Sequence, residues 1–252
     1  MVFIIGNKDI FLHPQIEKTM ADKKNQDEKG DQRLENIEET LTRTEQFIFS
    51  NQKNISVVVL IIVIGIIGYF AYNRYYIAPK SMEASKQMFA AQRYFEQDSL
   101  EKALYGDGNN LGFLDIADEY GSTKPGNLAN YYAGICFLKK KDFNQAIDYL
   151  DEFKGDDHLI GPMATGAIGD AHLELGDQKK AVAFYLEAAN QDANGFTAPL
   201  FLMKAGNVYE LMGKYDEAIS TYQRIKADFV KSKEAASIDK YIARATTSKE
   251  NK

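Results

Sequence analysis

The feature that most constrains this chain is an internal recurrence. A small residue is followed three positions later by an aromatic or His. Ala follows twelve positions after the small residue. The sets are Ala91/Tyr94/Ala103, Gly134/Phe137/Ala146, Gly169/His172/Ala181 and Gly206/Tyr209/Ala218. Inside each set lies a short turn: Gln97-Asp98-Ser99, Lys140-Lys141-Asp142, Leu175-Gly176-Asp177 and Met212-Gly213-Lys214. The second half of the unit carries Tyr185 and Tyr222, with Leu150 in the equivalent slot. Two antiparallel helices joined by a tight turn need small residues where they approach and a ring to fill the space beside them. Gly176 and Gly213 supply the left-handed conformation that ends a helix. A helix pair cannot bury its apolar face alone, so neighbours stack into a solenoid. The expected fold is all-α: about four helix pairs in residues 80–252, closed by a capping helix over 232–245. Ala235, Ile238, Tyr241 and Ile242 share one stripe of that helix.

The sets recur at 43, 35 and 37 residues, against a period of about 34 in tetratricopeptide repeats. The region from about 84 to 230 resembles that family. Its repeats lie near 84–126, 127–161, 162–196 and 199–231. The run Ala-Gly-Asn-Val-Tyr-Glu-Leu-Met-Gly-Lys-Tyr-Asp-Glu-Ala-Ile-Ser-Thr-Tyr over 205–222 carries the likeness most specifically. The chain departs from the pattern in having no Trp, and in Val230 and Ala193 standing where a repeat-closing Pro is usual. The first repeat is longer, with its insertion around Gly106–Gly112. The resemblance implies a protein-binding surface lined by the first helix of each pair. Its candidates are Met88, Gln92, Tyr131, Ile135, Met163, Asp170, Met203, Asn207 and Glu210. Asn207 matches the asparagine with which carboxylate-clamp repeats hold a peptide terminus. Met203 occupies one of that clamp's lysine slots, which disfavours a clamp. A lining of methionine, aromatic and acidic residues suits apolar or basic client segments.

Ahead of the repeats, Asn54 to Asn73 are 20 residues without a charge, most of them aliphatic. As a helix they extend roughly 30 Å, one hydrocarbon core. Within lipid a lone segment satisfies its backbone only as a helix, whatever its β-branched content. Tyr69, Tyr72, Tyr75 and Tyr76 crowd one end, as an interfacial belt does. We therefore expect a single spanning helix over 54–73. It lies too far along the chain for a cleavable signal. Charges flank it on both sides, so the positive-inside rule does not orient it. Residues 1–32 read as a disordered tail, and 1–19 as an over-called gene start ahead of Met20. Over 33–53, Leu34, Ile37, Leu41 and Ile48 form one face of an amphipathic helix.

Composition narrows the chemistry. The chain is 45% apolar and 26% charged, hence globular, and its net charge of −6 argues against a nucleic-acid footprint. Asp107, Asn109, Gly112, Leu114 and Asp118 fall at calcium-loop offsets. However, Leu111 fills a slot that needs oxygen, and Asp118 replaces the bidentate Glu. Cys136 reads as a buried thiol, and His172 fills an aromatic packing slot. No nucleophile–base pair is visible. The expectation is a non-enzyme without cofactor, metal, nucleic acid or small-molecule substrate.

The layout of short tail, single span and repeat domain is similar to the YfgM-like ancillary subunits of the Sec translocon. Tyr75-Tyr76-Ile77-Ala78-Pro79-Lys80 and Tyr131-Tyr132-Ala133-Gly134-Ile135 carry the likeness. It implies a bacterial inner-membrane protein with a cytoplasmic N-terminus and periplasmic repeats. Its partners would be translocon subunits and nascent or envelope client proteins. The alternatives are a scaffold for outer-membrane assembly or division machinery, and a regulator facing the cytoplasm.

Overall fold

The structure is a computed structural model that describes residues 48–155 and 157–251. The tail, most of the amphipathic segment 33–53, and Asp156 lie outside the described residues. The chain divides into two units, Met1–Phe70 and Ala71–Lys252. No strand occurs among the described residues.

In the first unit, Ile48–Ser50 is helical, and α1 (Gln52–Tyr72) follows. None of the α1 residues is buried, and α1 lies in the one described helix that is long and apolar enough to cross a membrane. The second unit takes in the last two residues of α1 and then a π-helical turn, Asn73–Ile77, in which the Ala78 N–H reaches the Asn73 carbonyl. Pro79 accounts for it: proline has no N–H to give the Tyr75 carbonyl, and its ring pushes that carbonyl aside.

Helix pairs follow. Helix α2 (Ala78–Glu96) pairs with two short helices, α3 (Leu100–Tyr105) and α4 (Phe113–Tyr120). Then α5 (Lys124–Lys139) pairs with α6 (Phe143–Glu152), and α7 (Ile160–Glu174) with α8 (Gln178–Gln191). Last, α9 (Thr197–Leu211) pairs with α10 (Tyr215–Asp228). A 3₁₀ turn, Ala235–Ser237, leads into α11 (Ile238–Glu250). The unit is an all-helical repeat solenoid.

All four intra-pair turns share one geometry. Asp98, Lys141, Gly176 and Gly213 have φ of 56°, 67°, 82° and 69°. The residue after each donates its N–H five positions back: Ser99 to Tyr94, Asp142 to Phe137, Asp177 to His172 and Lys214 to Tyr209, at 2.8–2.9 Å. These bonds satisfy carbonyls that a helix end would leave bare. Asp142 and Asp177 then cap the next helix, accepting from the Gln145 and Lys180 N–H.

Close approach depends on the small residues. Ala91, Ala103, Gly134, Ala146, Gly169, Ala181, Gly206 and Ala218 are all buried. A Cβ on Gly206 would sit 2.2 Å from the Tyr222 ring. The first pair is built differently, because its second helix is broken. Asp107 closes the loop over 106–112: its carboxylate accepts from the Asn109 and Asn110 N–H and, at 2.6 Å, from the Tyr94 hydroxyl. Phe113 then stacks on Tyr132 at 5.1 Å, with Phe95 edge-on to both.

Candidate functional site

The first helix of each pair (α2, α5, α7, α9) and the closing helix α11 carry the groups of interest. On α7, Asp170 accepts a 2.6 Å bond from the Tyr185 hydroxyl of α8. It also accepts bonds of 2.7 and 2.8 Å from Lys204 Nζ of α9. The Lys204 ammonium lies 5.5 Å from the centre of the Tyr185 ring, a cation–π distance. One repeat later the arrangement returns. The Tyr222 hydroxyl lies 2.7 Å from Glu210 Oε1 and 2.9 Å from Asn207 Oδ1. Arg244 of α11 donates from Nη2 and Nε to the two Glu210 oxygens, at 2.7 and 3.0 Å. Its guanidinium sits 4.8 Å from the Tyr241 ring centre.

Each of these two sets is a clasp joining three helices: an acid on one first helix, a tyrosine on its second helix, and a cation on the helix that begins the next unit, α9 for Lys204 and the closing helix α11 for Arg244. Burial, then the adjacent carboxylates, raise both tyrosine hydroxyls above their ordinary range. They stay protonated and act as donors. The Glu210 carboxylate holds the Arg244 guanidinium above its own ordinary range. Fork-shaped pairing of this kind adds geometric specificity to charge. Beside the second clasp lies an open cleft of 340 Å³ lined by Asn207, Glu210, Leu211, Tyr215, Arg244 and Ser248.

The sequence-derived candidates separate into four groups. Met88 is 4% exposed and belongs to the core of the first two repeats. Tyr131 and Ile135 pack against Leu150, Ala164 and Ile168, between the second and third repeats. Tyr131 also meets the rings of Tyr132 and Phe153. Asp170, Asn207 and Glu210 are the acceptors of the clasps. Gln92, Met163 and Met203 are half-buried, and the two methionines pack against the last core cluster. An acidic surface with unpaired carboxylates is thus not what Asp170 and Glu210 form. Sequence reasoning missed Lys204 and Arg244. The signal was available: each lies 34 residues after the acid it holds.

The other polar residues serve local structure. Cys136 is fully buried, and desolvation pushes its thiol up to about 12. His172 stacks on Phe184 at 5.3 Å, and burial lowers its basicity. The Asp107 oxygens hold their own loop closed. Among the described residues, no group of three or more His, Cys, Asp or Glu is placed to hold a metal.

The model of the tetratricopeptide repeat-like domain family matches residues 46–240 and agrees with the helical-repeat fold. A crystal structure of nearly identical TPR-like repeats of a putative kinesin light chain from Podosopora anserina superposes with a TM-score of 0.51 at 11% identity. It covers 68% of this chain and 88% of that one. A crystal structure of MamA protein matches at 16% identity with a TM-score of 0.48, covering 67% of this chain and 92% of its own. No curated protein matches the sequence.

Proposed function

This chain belongs to the tetratricopeptide repeat-like domain family, whose repeats make protein–protein interaction modules rather than catalysts. From that premise we propose a membrane-anchored module that receives client polypeptides on the face formed by its first helices. The observation that carries the reading is the pairing of the charges on that face. Asp170 and Glu210 are neutralised by Lys204 and Arg244, so the adaptable contacts left for a client are the half-buried Met163, Met203 and Gln92. Unbranched, polarizable methionines fit varied apolar surfaces. Charge then contributes little to client choice, and apolar segments are preferred to simply basic ones. This revises the sequence expectation, in which basic client segments stood beside apolar ones.

The anchor in this reading is the segment Asn54–Asn73. The lack of charge over its length, the exposed aliphatic surface of α1 and the tyrosines at one end support it. The layout further supports a YfgM-like role: an inner-membrane protein with periplasmic repeats that assists proteins leaving the Sec translocon. A cysteine placed at Lys249 then reacts with a membrane-impermeant reagent once the outer membrane is opened. Reaction only after inner-membrane lysis inverts the topology.

The binding face is tested by photocrosslinking in cells from Gln92, Met163 and Met203, with Lys226 on α10 as control. The reading predicts client adducts at the first three positions and few at Lys226. Equal trapping at all four positions moves the binding site elsewhere. Adducts dominated by division or outer-membrane assembly proteins favour the scaffold alternative.

A further inference from the structure

The junctions of the repeat array are not joined alike. The third repeat holds the fourth through Asp170, Tyr185 and Lys204, and the fourth holds α11 through Glu210, Tyr222 and Arg244. Ion pairs of Lys226 with Asp239 and of Lys249 with Asp216 add to the last junction. The first repeat meets the second through the rings of Phe95, Phe113 and Tyr132. Asp98 and Glu101 of the first repeat also pair with Lys139 and Lys140 of the second. Between the second and third repeats nothing of the kind occurs. The side-chain bonds of α5 and α6 run within their own repeat or back to the first, and those of α7 and α8 within their own or on to the fourth. Among the described residues, no ion pair or side-chain hydrogen bond joins α5 or α6 to α7 or α8.

The repeat register accounts for the difference. The places 35 residues before Asp170 and Tyr185 hold Ile135 and Leu150, and the place 37 before Lys204 holds Ala167. Every member of the clasp is thus replaced by an apolar side chain. All three replacements belong to one small cluster, whose buried members are Leu150, Ala164, Ala167 and Ile168. Two of those four are alanines, which interlock little with a facing helix. The larger cores lie to either side: one ends at Ala146 and the other begins at Ala181. An open cleft of 110 Å³ enters the same seam between Leu150, Phe153, Ala164, Ile168 and Phe184.

We propose that this seam is the hinge of the solenoid: the first two repeats rock as one body against the third, the fourth and α11. Apolar contact is non-directional, whereas each bond of a clasp holds only over a narrow range of distance and angle. Helices packed through small apolar side chains can slide on one another, the shear mode of conformational change. A helix tied through a tyrosine hydroxyl, a carboxylate and a cation must break those bonds to do so. Gln92 lies on one side of the seam, and Met163 and Met203 lie on the other, so rocking changes the span of the proposed client face. That consequence rests on the binding reading above; the hinge itself does not.

Spin-label pairs at repeat-equivalent places test it in the full chain in detergent, with no client present. Asn144→Cys with Ala183→Cys spans the second and third repeats, and Lys179→Cys with Ser220→Cys spans the third and fourth. All four sites are exposed and lie on second helices, while Cys136 is fully buried and stays unlabelled. The hinge predicts a distance distribution about twofold broader for 144/183 than for 179/220, because sliding is confined to the unclasped seam. Lys204→Met, which keeps an unbranched stem and removes the charge, then broadens the 179/220 distribution toward the other. Equal widths for the two pairs overturn the hinge. A 179/220 width unmoved by Lys204→Met overturns the missing clasp as its cause. Neither result depends on the photocrosslinking at Gln92, Met163 and Met203, so the hinge and the binding face fail separately.

Discussion

In the last two helix pairs, small residues of the first helix lie against an aromatic ring of the second: Gly169 on Tyr185, and Gly206 on Tyr222. Each tyrosine hydroxyl reaches on to a carboxylate, and each carboxylate to a cation from the next unit. Steric fit and polar registration therefore share one side chain, and the device repeats. In the first pair and its junction with the second, the tight places are backbone against backbone. A Cβ on Gly112 would meet the Leu104 carbonyl oxygen at 2.1 Å, and one on Gly126 the Tyr120 carbonyl oxygen at 1.9 Å. The clasps are a modular solution that carries over from unit to unit. The loop over 106–112 is a single solution, fitted around one insertion.

Substitutions that touch only one solution sharpen this contrast. The largest effect is expected at the backbone contact. The Tyr120 carbonyl cannot withdraw, since the Thr123 N–H and hydroxyl both hold it, at 2.8 and 2.7 Å. Gly126→Ala should cost about 3 kcal/mol in urea unfolding of the chain in detergent, the upper end for overpacking. Gly206→Ala should cost less, about 2 kcal/mol, because a ring can tilt where a carbonyl cannot. Tilting Tyr222 lengthens its bonds to Asn207 and Glu210, so this variant should also loosen α11, read as faster amide exchange there. An equal cost at the two glycines would erase the distinction between the halves.

Acid gives the smallest effect, and it belongs to the first pair. The Tyr94 hydroxyl, followed by the Asn110 and Asn109 N–H groups, holds the Asp107 carboxyl well below the usual carboxylate range. A folded pKa below the unfolded one of about 3.9 means stabilisation that is complete above that value. It is lost as pH falls through the folded value. Asp107→Asn should therefore lower stability at neutral pH, where the bonds to the carboxylate are complete, and leave the acid end nearly unchanged, so that the profile flattens. An undiminished acid dependence in this variant would remove Asp107 as its source.

The contrast also governs what the sequence could reveal. Small residues, rings and turns recur at set offsets, so the helix pairs and the solenoid were readable from Gly169, Ala181, Gly206 and Ala218. Gly176 and Gly213 announced left-handed turns. Asp98 and Lys141 hold the same conformation without announcing it, since the five-residue-back hydrogen bond imposes it on any residue type. Met88 looked like a surface methionine because one helix face was considered without the helix that covers it. The clasps were half visible. Asp170, Asn207 and Glu210 stood out as polar residues on first helices. Their cations did not, because Lys204 and Arg244 belong to the following unit, and pairing across units appears only when the repeat period is applied to charge.

The central claim is that the charges of this face hold neighbouring repeats together rather than await a ligand. A double-mutant cycle at Glu210 and Arg244 tests it most directly. Glu210→Gln, Arg244→Ala and the double variant are compared by urea unfolding without any client present. The Glu210 side chain is 13% exposed and Arg244 49%, so solvent screens part of the pair and its coupling should be about 1 kcal/mol. Additivity of the two single changes to within about 0.3 kcal/mol would contradict the claim and return Glu210 to the list of groups available to a client.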